Sequence, residues 1–126
     1  MCDRPMHGAD YRAELHFAVR REVDDGAIHS VARFMANLAT YPFHHQVSLD
    51  WWHKIRDPGR IPLFNGAESI LLHPAFVEGG WDLIETVPPV RLLNVVPISG
   101  EASKLRTRAS LSDYLWNDLR DPFLPW

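Results

Sequence analysis

The nine residues VRLLNVVPI, from Val90 to Ile98, are nearly continuous in apolar side chains. A run of this kind, without the alternation of a half-exposed strand, is the pattern of a strand at the centre of a sheet, covered on both faces. Two stretches close by supply neighbours for it: ESILLHP, a short apolar run ended by proline, and WDLIETV, which alternates. Near the start, YRAELHFAV alternates too. It puts Tyr11, Ala13, Leu15, Phe17 and Val19 on one side and Arg12, Glu14 and His16 on the other, as a half-buried strand requires.

Two segments have helical period instead. In AIHSVARFMANLATY, the spacing of Ile28, Val31, Met35 and Leu38 predicts a helix with one inward face, capped by Asp24 or Asp25 and stopped at Pro42. Towards the end, Ser99 is a candidate cap for SGEASKLRTR. Ser110 with Asp113 has the spacing of a capping box for a helix whose apolar face is Leu111, Leu115, Trp116 and Leu119. Residues 43 to 67, with Pro58, Gly59, Pro62, Asn65 and Gly66, are expected to form a long irregular loop with a short strand near Val47 to Trp51. The sum is an α+β domain, a mixed, mostly antiparallel sheet flanked by helices. A chain of 126 residues suits one such domain, here placed at residues 11–120, with a flexible end at 1–10 and an aromatic tail at 121–126.

The densest chemistry lies in TYPFHHQVSLDWWHK. Imidazoles ligate zinc well, but His44 and His45 are neighbours that point apart on an extended segment, and no HxH, HxxxH or CxxC spacing accompanies them or His53. No glycine-rich phosphate loop or GxSxG elbow is present, and Cys2 is a lone cysteine near the terminus. The expectation is a non-enzymatic protein with no catalytic residue, cofactor or metal. A His/Asp-based metal-dependent hydrolase and a structural, oligomerising subunit stand as the alternatives. The formal charge of -3 argues against nucleic acid and anionic membrane as partners and favours proteins with basic patches. Without a leader or a long apolar run, the expected location is the cytoplasm, and the expected state a monomer or weak dimer.

Several features taken in order resemble the suppressor of fused family, in particular its short bacterial members. They are the helix leading to TYP, DWWH before GRIPL, a turn at Asn65 and Gly66, the ILLHP strand and the VVPIS strand end. The resemblance spans roughly residues 11 to 120 and implies a non-catalytic domain that binds another protein. Animal members restrain a transcription factor, while many bacterial members look like immunity proteins that neutralise a toxin by direct contact. Aromatic anchors and carboxylates over a basic active site would suit that role. The candidate partner-binding residues are Asp50, Trp51, Trp52 and His53, with Arg60 and Phe64 from the following loop, since loops carry binding more often than core elements do.

Overall fold

The structure, a computed structural model, describes residues 9–19, 22–74, 83–85 and 87–115. Its strands are β1 (Arg12–His16), β2 (Lys54–Ile55), β3 (Ser69–His73), β4 (Leu83–Ile84) and β5 (Val90–Ile98). The helices are α1 (Asp25–His45) and α2 (Arg108–Asp113), with a 3-10 turn at Ala102–Lys104. The sheet runs β1-β5-β3-β2, and β4 also pairs with β5. Among the described residues β1 alone lies parallel to β5; β3 and β4 lie antiparallel to β5, and β2 antiparallel to β3. The expected mixed, mostly antiparallel sheet with flanking helices is thus present, and VRLLNVVPI is its central strand.

Each face of the sheet has its own cover, because successive side chains of a strand point to opposite sides. Ala13, Ile70, Leu72, Leu93 and Val95 pack with Phe34 and Leu38 of α1. Leu71, Val96 and Ile98 pack with Ala102, Leu111 and Leu115. The chain is therefore layered, with α1 on one side and the 3-10 turn with α2 on the other.

The register of β5 contains a gap that matters for the site. Both β1 and β4 pair with Val90 and Arg91, so they occupy opposite edges, and β4 continues the line begun by β3. Between the pairs His73↔Asn94 and Leu83↔Arg91, two residues of β5, Leu92 and Leu93, have no ladder partner on this edge among the described residues. The Leu92 carbonyl instead accepts a hydrogen bond from the indole Nε1 of Trp51 at 2.9 Å.

Four local expectations are corrected. Ile28, expected on the inward face of α1, is 51% exposed, and the residues the helix buries are Phe34, Leu38 and Pro42. Helix α1 does not stop at Pro42 but runs to His45, so His44 and His45 lie in its last turn and not in a loop. A proline costs a helix one N–H bond and crowds the carbonyl four residues earlier. Here it falls in the final turn, its ring is buried, and its own carbonyl accepts from Val47 at 3.0 Å beyond the left-handed cap Gln46. The short strand is at Lys54–Ile55, not at Val47 to Trp51, because Asp50 bends the earlier stretch into a turn. Helix α2 is capped by Thr107, three residues before the expected Ser110, which instead takes the reciprocal place in the capping box. Asp24 does cap α1, accepting from the Ala27 N–H at 2.7 Å, and Ser99 accepts from Ala102 to close the 3-10 turn. The expected flexible residues 1–8, Trp81, Trp116, Leu119 and the tail at 121–126 lie outside the described residues.

Candidate functional site

After α1 the chain turns back along the sheet, and Leu49 enters the core while its carbonyl accepts from the Tyr11 hydroxyl at 2.6 Å. The next residue, Asp50, divides its carboxylate. Oδ1 accepts from the Trp51 N–H and Oδ2 from Nη1 of Arg91, both at 2.7 Å. Arg91 is the one charge in the VRLLNVVPI strand. Its guanidinium lies 3.9 Å from the centre of the Tyr11 ring and 5.0 Å from that of Trp51, a cation held between two aromatic faces. Burial works against this cation, but the hydrogen bond and charge of Asp50 outweigh it and hold the guanidinium above its ordinary range.

Trp51 and Trp52 are adjacent, yet they serve opposite sides of the sheet. Trp52 is left-handed (φ 70°), which swings its ring to the α2 side while Trp51 packs on the α1 side. There the Trp52 ring meets His73 edge-on at 4.7 Å, and the Arg108 guanidinium lies 5.9 Å away. The backbone between them is also tied down. The Trp52 N–H donates to the Leu72 carbonyl, and the Leu72 N–H donates to that of His53 at 2.9 Å. His53 is exposed, and its Nδ1 accepts from the Asp50 N–H at 3.1 Å.

Four of the six candidate residues, Asp50, Trp51, Trp52 and His53, thus form one braced turn. The other two stand apart from it. Arg60 is exposed beside the first half of α1, and Phe64 is 1% exposed, with its ring edge-on to Phe17 at 5.8 Å. Phe64 is a core residue, and its side chain offers nothing to a partner in the folded chain. Sequence reasoning missed Arg91 and Tyr11, which brace the turn. The signal for Arg91 is a lone arginine within an apolar strand, a group that has to find a counter-charge when the strand is covered.

A groove of about 780 Å3 adjoins the turn at the end of α1, lined by Tyr41, Leu49, Trp52, His53 and Arg56, and by Val47, whose apolar side chain is 40% exposed. Its charged lining is basic, whereas the net charge of the chain led to the expectation of carboxylates at the contact face. Lys54 also lines the groove but is already committed: its ammonium donates to the carbonyl of Ser103 at 2.8 Å and to that of Leu105, tying β2 to the layer beyond the sheet. Burial first, then Arg56 and Arg106, lower its pKa. Among the described residues no three His, Cys, Asp or Glu side chains gather as ligands for a metal, and no helix is long and apolar enough to cross a membrane.

Burial, and then the negative charge of Asp50, raise the Tyr11 pKa above its ordinary 10.0. The folded chain therefore favours the neutral phenol. The stability this supplies is fully present below pH 10.0 and is lost as the pH rises through the raised value. Stability is expected to fall with pH above about 10, less steeply in Tyr11→Phe, which has no phenol to ionise. Urea midpoints measured from pH 8 to pH 11 check this, and equal slopes for the two proteins would refute it.

Fold and surface together define a small mixed-sheet α+β domain that presents a rigid aromatic turn beside open clefts, an arrangement suited to contact. A model of the suppressor of fused protein (SUFU) family matches residues 1–122 of the 126, and the chain belongs to that family. The family generally comprises non-catalytic regulatory or binding domains that act through protein–protein interaction. No curated protein and no solved structure matches the chain.

Proposed function

We propose that this chain is a non-catalytic protein-binding domain that restrains its partner by direct contact in the cytoplasm, as an immunity protein neutralises a toxin. The observation that carries this reading is the braced turn Asp50–His53. Its two tryptophans are fixed on opposite sides of the sheet by hydrogen bonds, and a groove with an exposed Val47 lies beside it. Rigid aromatic anchors next to an apolar surface with a polar rim are what a contact hot spot needs, and a surface ordered in advance loses little entropy on binding. The contact face at this groove is neutral to basic, with His53 and Arg56 exposed, so it suits a partner surface that carries carboxylates.

Co-expression with the products of neighbouring genes tests the reading. Rescue of growth from a toxic neighbour is expected, together with its co-purification, and both should be lost when Val47→Glu and Arg56→Glu are combined. Failure of every neighbour to be captured or neutralised would remove the immunity role.

A further inference from the structure

A second cleft, of about 480 Å3, lies between the first half of α1 and the loop from Pro58 to Asn65. Its volume is within the range of about 300–1,000 Å3 usual for ligand clefts. Two arginines, Arg33 from the helix and Arg60 from the loop, line it, and no Asp or Glu does. Among the described residues neither arginine has an acidic partner. In a chain whose formal charge is -3, two cations gathered on one cleft without a counter-charge are not a consequence of composition.

Both cations stand on anchored backbone. Arg33 precedes Phe34, which is buried against the sheet, and Arg60 precedes the buried Ile61 in a loop also held by Phe64. Between them, the half-buried Pro62 and Leu63 give the cleft apolar wall over the core residue Phe34, while Asn37 and Asn65 add amide donors and acceptors. A guanidinium offers a planar fork of N–H donors that fits a carboxylate with two parallel bonds.

We infer that this cleft is a docking site for an acidic segment of a partner protein, with Arg33 and Arg60 holding its carboxylates and the half-buried Pro62 and Leu63 taking an intervening apolar side chain. The inference rests on the reading of the chain as a protein-binding domain, but it assigns a second contact separate from the groove beside Trp52.

A dye-labelled peptide of alternating glutamate and leucine, titrated into the full chain, supplies the probe, with fluorescence polarisation and amide NMR shifts as readouts. Saturable binding is expected, with shifts gathered on residues 30–37 and 58–65. Arg33→Gln and Arg60→Gln should each weaken it by about tenfold, the effect of losing one charged hydrogen-bonding partner. Arg56→Gln, in the other groove, should leave it unchanged. The matching peptide of glutamine and leucine should bind far more weakly. The inference is overturned if both peptides bind alike, if inorganic phosphate displaces the acidic peptide at equal concentration, or if the shifts gather on residues 46–56. A fall in the unfolding midpoint of both arginine variants would likewise make these residues structural. Since no cellular partner enters the assay, its failure leaves the neutralisation test above to stand or fall on its own.

Discussion

Replacing Phe64 with alanine is expected to lower the free energy of unfolding by about 3–5 kcal/mol, the cost of removing a fully buried aromatic ring and leaving a cavity. The ring is 1% exposed and sits in the cluster that joins α1 to the sheet, with Ile55, Ile61, Ile70 and Leu72 as fellow members. It meets Phe17 edge-on at 5.8 Å, and Phe17 in turn meets Phe34 of α1 edge-on at 6.2 Å. A chain of aromatic edges from loop to strand end to helix cannot close over a missing ring without moving all three, so little of the cavity will collapse. Urea unfolding should show a lower midpoint at an unchanged slope, with Phe64→Leu losing well under half as much. A midpoint within experimental error of wild type would mean that this loop does not seal the core. The same result decides the functional status of the residue. Any loss of partner binding in Phe64→Ala should disappear once the measurement is corrected for the folded fraction.

How far the fold was legible follows from which residues carry a periodic signal. Val90 to Ile98 announced its position because it is covered on both faces, and Tyr11, Ala13 and Leu15 announced theirs by alternation; all of these lie where the pattern puts them. The errors fall where local rules compete. Pro42 is a helix breaker by propensity, but a final turn with a buried ring tolerates it. Thr107 and Ser110 are both good caps, and which of them begins the helix is decided by packing of Leu111 and Leu115 beneath it.

The site was legible in part for the same reason. Asp50 to His53 stand together in the chain, so a cluster was visible there. What makes it rigid comes from Arg91, 41 residues away, and from Tyr11, 38 residues before Leu49, and no local period encodes such pairings. The basic character of both clefts was hidden because net charge sums over the whole surface. Arg33, Arg56 and Arg60 reach their places only when α1 and the loop after it fold against each other.

Arg91→Met is expected to destabilise the chain by about 2–3 kcal/mol and to loosen the Asp50–His53 turn. Methionine keeps an apolar stem of similar length, so the loss isolates the guanidinium. It removes the partner of a half-buried carboxylate and the cation between the Tyr11 and Trp51 rings. Because both members of the ion pair retain some contact with water, the cost falls below that of breaking a fully buried pair, about 3–5 kcal/mol. Arg91→Lys restores the charge but neither the fork nor the flat face that lies against the rings, and should recover less than half of the loss. A double-mutant cycle with Asp50→Asn should give a coupling of at least about 1 kcal/mol; additive effects would show that Arg91 acts by packing alone. Local loosening has its own readout in the indole N–H of Trp51, bonded to Leu92 at the gap in the β5 ladder. Its hydrogen exchange should accelerate in Arg91→Met beyond the change in global stability, because Asp50 then no longer fixes the turn from which Trp51 reaches the sheet. If exchange instead tracks global stability alone, the turn is held by its backbone bonds to Leu72, and Arg91 braces the central strand, not the contact surface.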